Sequence, residues 1–167
     1  SVIWNCGGKL TFYGARRYYY GNSHISIVPK HGSRSVTFVT GCSAIFRSSL
    51  FVKIGLLSDR FFHGEEDFEL GHRIKNNGYK LACLFDAIIY HKVGRTINHV
   101  SAKTTLRTVY IYYLNRFIDM RYLWPKIIWN IWRHSYFFYI FTLLKVRHGA
   151  SWKDLWSLRR ALLKDSS

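Results

Sequence analysis

The pattern of this chain changes near residue 100, and that change limits its fold more than its size does. Up to that point short β-branched runs alternate with glycine-marked turns, as small strands and short helices require. From Ser101 onward Val109, Tyr112, Tyr113 and Arg116 fall on three- and four-residue steps, which is helical spacing. The expected architecture is α/β over residues 1–100, followed by an α-helical, basic and aromatic tail over residues 101–167. With 167 residues and 49% hydrophobic content the chain has material for a packed core, which excludes a disordered basic tail.

Within the first part, residues 2–4 and 10–13 read as strands around the Gly7-Gly8 turn, and residues 21–35 as an exposed loop. Residues 35–40 are β-branched and predict a strand, after which Gly41 marks a bend or a close approach of backbone. Ser48 or Ser49 is positioned to cap a short helix that ends at Gly55. The clearest helix is 65–77, with acids in its first turn, Arg73 and Lys75 in its last, and Gly78 at its stop. Residues 79–85 and 87–91 read as further strands. In the tail, Pro125 breaks or begins a helix, and Ser151 with Asp154 opens a last one over 151–164.

Charge narrows the choice of partners. There are 25 Lys and Arg against 9 Asp and Glu, a net charge of +16, so nucleic acid, an acidic lipid surface or a phosphorylated ligand each fits on charge alone. Residues 101–167 hold 12 of the bases and three of the acids, a local charge of +9. Residues 122–144 are aromatic but interrupted by Lys126, Arg133 and His134, which makes them too polar to span a bilayer. Trp124, Trp129, Trp132, Tyr136 and Tyr139 either sit at headgroup depth on a membrane surface or pack on their own domain. The three cysteines, Cys6, Cys42 and Cys83, are widely spaced. That spacing argues against zinc and predicts reduced, buried thiols in a cytosolic compartment. The only methionine is Met120 and the first residue is Ser1, from which a longer polypeptide is expected.

Five of the nine acids lie within eleven residues: Asp59, Glu65, Glu66, Asp67 and Glu69. Carboxylates in a first helical turn complement the helix dipole whatever else they do. Held rigidly, they also suit general-base chemistry, which needs an ionised group within hydrogen-bond reach of the proton it removes. Phe61, Phe62, Phe68 and Leu70 flank the cluster and supply an apolar anchor.

The order of motifs around this cluster is specific. It runs Thr40-Gly41, Ile54-Gly55-Leu56, Asp59, Phe61-Phe62, Glu66-Asp67, Glu69, Arg73, Gly78-Tyr79-Lys80 and His91-Lys92, preceded by Trp4-Asn5-Cys6-Gly7-Gly8. In this order it resembles the downstream catalytic half of family 2 glycosyltransferases, in particular the bacterial rhamnosyltransferase-like enzymes. The resemblance covers about the first hundred residues. It departs from the family pattern at Leu57-Ser58, at Glu69 where Asp is commoner, and at His72.

The resemblance implies the C-terminal portion of a GT-A (Rossmann-like) domain and an inverting transfer of a sugar, rhamnose being the family's common donor. The donor is a nucleotide-sugar, and the acceptor a saccharide or a polyprenyl-linked saccharide of cell-surface polysaccharide synthesis. It assigns the general base to Asp67, with Glu66 as neighbour or alternative base. Substrate contacts fall to Thr40, Gly41, Glu69, Arg73 and Lys92, with Arg73 also expected to pair one turn back with a carboxylate such as Glu69. It assigns a metal-ligand role to His91, beside Mn²⁺ or Mg²⁺ held mostly by an upstream Asp-x-Asp that this sequence lacks. The chain alone is therefore expected to be inactive. The implied setting is the cytoplasmic face of the cell membrane, bound peripherally to anionic lipid, with nucleic acid not expected as a partner. The rival readings are an inert remnant of a split transferase gene and a basic single-strand nucleic-acid binder.

Overall fold

The structure is a computed structural model that describes residues 1–11, 13–61, 64–91 and 102–167, without the side chains of residues 102–105 and 147. It mixes α and β elements in two compact units. One comprises Ser1–Phe61 and Glu66–Arg95, the other Phe62–Glu65 and Thr96–Ser167.

The first unit is built on short antiparallel pairs. Strand β1 (Val2–Ile3) pairs with β4 (Ser23–His24), β2 (Gly8–Leu10) with β3 (Arg16–Tyr18), and β5 (Ser33–Val36) with β6 (Leu81–Leu84). All strand pairs among the described residues are antiparallel, so no parallel Rossmann-type pairing occurs within them. A bridge from Gly8 to Phe38 joins two of these pairs. It needs a glycine: a Cβ on Gly8 would lie 2.4 Å from the Phe38 ring. Phe38 is fully buried and meets Phe68 edge-on at 4.7 Å, while Val36, Leu70 and Ile74 complete the core.

Two helices complete this unit, α1 (Ser48–Ile54) and α2 (Glu66–Asn76). Helix α1 stops at Gly55, whose φ of 79° only glycine adopts easily. Helix α2 lies so close to residues 37–38 that a Cβ on Gly71 would come within 2.5 Å of the Thr37 carbonyl oxygen.

Several sequence expectations need correction. The expected loop 21–35 contains β4, a 3₁₀ turn over Ile25–Ile27 and the start of β5. The expected strand 35–40 leaves the β5–β6 ladder after Val36, and residues 37–38 bond to Gly8 instead, with the Thr37 hydroxyl accepting the Leu10 N–H at 2.6 Å. Residues 87–91 form no regular strand. Arg47, not a serine, is the N-cap of α1 and makes no side-chain cap bond. Cys6 is buried as expected, but Cys42 is exposed and Cys83 half-buried.

The second unit is helical: α3 (Ala102–Leu123), α4 (Lys126–His148) and α5 (Trp152–Asp165). Pro125 begins α4, as an N-terminal proline should, and Gly149 ends it in the left-handed conformation. Ser151 caps α5 by accepting the Asp154 N–H at 3.1 Å. Tyr113 and Phe117 of α3, Phe137, Ile140 and Leu144 of α4, and Leu155, Leu158 and Leu162 of α5 form one core. Trp129 is 2% exposed and donates its indole N–H to the Phe117 carbonyl at 2.9 Å. Trp132 stacks on Tyr136 at 4.9 Å beside Phe117. Trp129 is thus a core residue of its unit, Trp132 and Tyr136 are half-buried against that core, and Tyr139 is exposed. No helix among the described residues is long and apolar enough to cross a membrane.

Gly64 and Glu65 belong with this helical unit. Asn115 donates to the Gly64 carbonyl at 3.1 Å, and Arg116 lies 3.7 Å from the buried Glu65 carboxylate. Glu65 has φ of 90° and precedes α2, although its place in the acidic run predicts the first helical residue.

Candidate functional site

The cluster of acids opens α2, where the unsatisfied N–H groups of the first turn favour negative charge. Glu66, Asp67 and Glu69 stand there, and Phe68 between them is anchored in the core. The helix therefore cannot turn its acids elsewhere without losing the Phe38–Phe68 contact.

Asp67 is half-buried. Its Oδ2 accepts the Gly41 backbone N–H at 3.3 Å, while Oδ1 is buried with no hydrogen-bond partner. Burial raises its pKa above the ordinary carboxylate range, and the Glu66 charge pushes the same way. The Gly41 N–H, the Arg16 charge and the Phe68 N–H pull against them. The result is a carboxylate with one oxygen oriented and one uncommitted, more basic than an exposed aspartate. Glu66 beside it also has a buried oxygen, Oε2, without a partner.

The structure thus brings Thr40, Gly41, Glu66 and Asp67 together. Thr40 is buried, its hydroxyl 3.2 Å from the Cys42 sulfur. Gly41 supplies a backbone donor, but a Cβ there would meet nothing within 4 Å. Of the two expectations for this position, the chain does turn at Gly41, and no close approach requires a glycine there.

Glu69 and Arg73 face into the protein. Arg73 Nε donates to Glu69 Oε1 at 2.6 Å, the expected pairing one helical turn apart. The rest of the guanidinium donates to the carbonyls of Ile54, Gly55 and Leu56 at 2.6, 3.1 and 2.8 Å. Arg73 thereby closes the C-terminal end of α1, where helix carbonyls lack partners. Arg60 adds a second cation 3.7 Å from Glu69.

Two residues here have no local signal in the sequence. Arg16 lies flat over Phe68 at 3.6 Å and contributes charge to Asp67; it arrives from β3, far upstream of the acids. His72, on α2, has its pKa lowered to about 4, first by burial and then by Lys75 and Arg16. It is a neutral imidazole at physiological pH.

His91 is exposed and its ring lies 5.2 Å from that of Trp4. Among the described residues no group of three His, Cys, Asp or Glu side chains is placed to hold a metal ion. Lys92 lies outside the described residues. Compared with models of protein families, with curated proteins and with solved structures, the chain has no match.

Proposed function

We propose that this chain is the acceptor-activating part of an inverting, family 2-like glycosyltransferase of GT-A type, with Asp67 as its general base. The observation that carries the reading is the state of that carboxylate: Oδ2 is oriented by the Gly41 N–H, and Oδ1 is buried with no hydrogen-bond partner. Such a group is ready to accept a hydroxyl proton. The ordered motifs shared with the family support it further.

In the proposed reaction an acceptor hydroxyl attacks the anomeric carbon of a nucleotide-sugar. The new carbon–oxygen bond forms as the bond to the nucleoside diphosphate breaks, and the hydroxyl proton passes to Asp67. The raised pKa makes Asp67 a stronger base than an exposed aspartate. Glu66 reinforces that basicity through its charge, and Thr40 and Gly41 border the acceptor's approach. Glu69 and Arg73 serve by fixing α2 against the end of α1. His91 and Lys92 are proposed nearer the diphosphate. A divalent cation would neutralise the leaving group; among the described residues no three-ligand group for it stands assembled, and none of these steps depends on it.

The test is sugar-nucleotide turnover by the product of the whole reading frame. With a matched acceptor it should release nucleoside diphosphate, and Asp67→Asn should cut turnover by about 10²- to 10⁴-fold, the usual worth of a positioned general base. Turnover unchanged by Asp67→Asn would remove the base assignment. The absence of any sugar-nucleotide turnover would remove the transferase reading and favour the inert remnant.

A further inference from the structure

Helix α4 is apolar on two sides, and only one of them is used within its unit. Trp129, Phe137, Ile140 and Leu144 face the core. At about 3.6 residues per turn, a second set lies on the opposite side: Ile127, Ile128, Ile131, Phe138, Tyr139 and Val146, all exposed. Ile127 is 75% exposed, and Phe138 and Val146 are each 79% exposed. Ser135 and Thr142 lie among them with their hydroxyls turned back onto the carbonyls of Ile131 and Phe138, so a mostly apolar face stands in solvent, and such a face asks for an occupant.

Charge selects among occupants. Helix α4 contains no Asp or Glu, and exposed Lys126 and Lys145 lie at its two ends. The acids of the surrounding unit are already engaged. Asp119 is buried, Asp154 accepts from the Ser151 hydroxyl, and Asp165 accepts from the Tyr110 hydroxyl at 2.5 Å. A second copy docked through this face would set cations against cations. A surface that is apolar at its centre and negative at its rim fits without that conflict.

We infer that the outer face of α4 is an interfacial membrane-binding surface, which lies in the headgroup layer of an anionic bilayer with Ile131 and Phe138 inserted. The helix lies on the membrane and does not cross it, in keeping with its hydropathy. The inserted residues are aliphatic side chains and Phe138, whereas the tryptophans of the same helix stay in the core. This inference rests on α4 alone and does not depend on the transferase reading.

Co-sedimentation of the full chain with vesicles tests it. Binding is expected to vesicles of phosphatidylcholine mixed with phosphatidylglycerol, to weaken about tenfold on phosphatidylcholine alone, and to weaken with salt. The neutral double variant Ile131→Ser, Phe138→Ser should lose about tenfold or more on the mixed vesicles, with helical circular dichroism and melting temperature retained. Should that pair disturb folding, Ile127→Ser with Val146→Ser repeats the test on other residues. No binding to the mixed vesicles overturns the inference. So does binding unaffected by both serine pairs, which would reduce the interaction to nonspecific charge. A concentration-dependent dimer in sedimentation velocity that the same variants abolish would assign the face to a second copy instead.

Discussion

The first unit is assembled from strands two to four residues long and from side chains that cross between them. The second is three helices of 22, 23 and 14 residues around an aromatic and aliphatic core. In the helical unit most backbone groups find their partner within their own helix, so it is chiefly side-chain packing that has to be specified, and large apolar residues supply most of it. In the strand-built unit the ladders are too short to hold themselves. Glycines that let backbone and rings approach, at Gly8 and Gly71, and polar bonds such as those of Arg73 take over part of the work. Both units bury ionisable groups, Glu69 in the first and Glu65, Arg116, Asp119 and Arg133 in the second, and the first adds the half-buried Asp67 carboxylate beside its short ladders.

The largest expected effect lies on the apolar side of this contrast. Phe117 is fully buried and meets Trp132, Tyr136 and Phe137 through ring contacts of 5.4 to 6.3 Å. Phe117→Ala should cost about 3–5 kcal/mol, read from urea unfolding followed at the helical circular dichroism band. A loss below about 1 kcal/mol would mean that the helical unit is not held by this core.

The next effect belongs to the first unit and is a pH dependence. His72 has a native pKa of about 4, below the unfolded value of 6.5. The unfolded state therefore binds a proton that the native state refuses. Stability is fully present above about 6.5 and falls as pH drops toward 4, by an order-of-magnitude figure of about 3 kcal/mol. In His72→Gln this part of the slope should vanish in unfolding titrations between those pH values. An unchanged slope would show that other groups carry the acid sensitivity.

The acidic helix α2 and the three tail helices were legible because capping residues, charge bias and periodicity are local properties. Gly78, Ser151 and Pro125 each act within a turn of where they stand. The strands were legible only in part: the expected 2–4 and 79–85 contain β1 and β6, whereas β3 and β4 were missed, since pieces this short take their register from what packs on them. Gly8 reads as a turn residue, yet its function is to admit the Phe38 ring. Glu65 reads as one more acid of the helix, but the guanidinium of Arg116 lies beside it. Trp129 has the look of an interfacial ring until its N–H is found on the Phe117 carbonyl. In the candidate site, Asp67 and its neighbours were visible as a cluster, whereas Arg16 comes from a distant strand and leaves no trace in local spacing.

Arg73 sharpens the contrast on its polar side. Arg73→Met would leave the carbonyls of Ile54, Gly55 and Leu56 without these bonds and Glu69 without its closest cation. The expected loss is about 2–3 kcal/mol. Arg73→Lys should recover only part of it, since an ammonium cannot reproduce the flat fork that meets three carbonyls and a carboxylate together. Equal stability of the Lys variant and the parent protein, by thermal unfolding at neutral pH, would show that charge and not geometry is what α2 requires.

The smallest expected effect has the opposite sign. Because burial raises the Asp67 pKa, the native state holds that proton more tightly than the unfolded chain does. The stability this contributes is present below the unfolded pKa of 3.8 and is lost as pH rises through the native value. Above the native value the Asp67 carboxylate is thus a net burden on the fold, retained against the partial help of the Gly41 N–H and Arg16. Asp67→Asn should stabilise the protein at neutral pH and lose that advantage in acid. The comparison is cleanest in a His72→Gln background, where the opposing histidine slope is removed. An Asp67→Asn variant that melts lower than its parent at neutral pH would mean that the carboxylate holds the first unit together, in the way Arg73 does, and is not a strained group kept for chemistry.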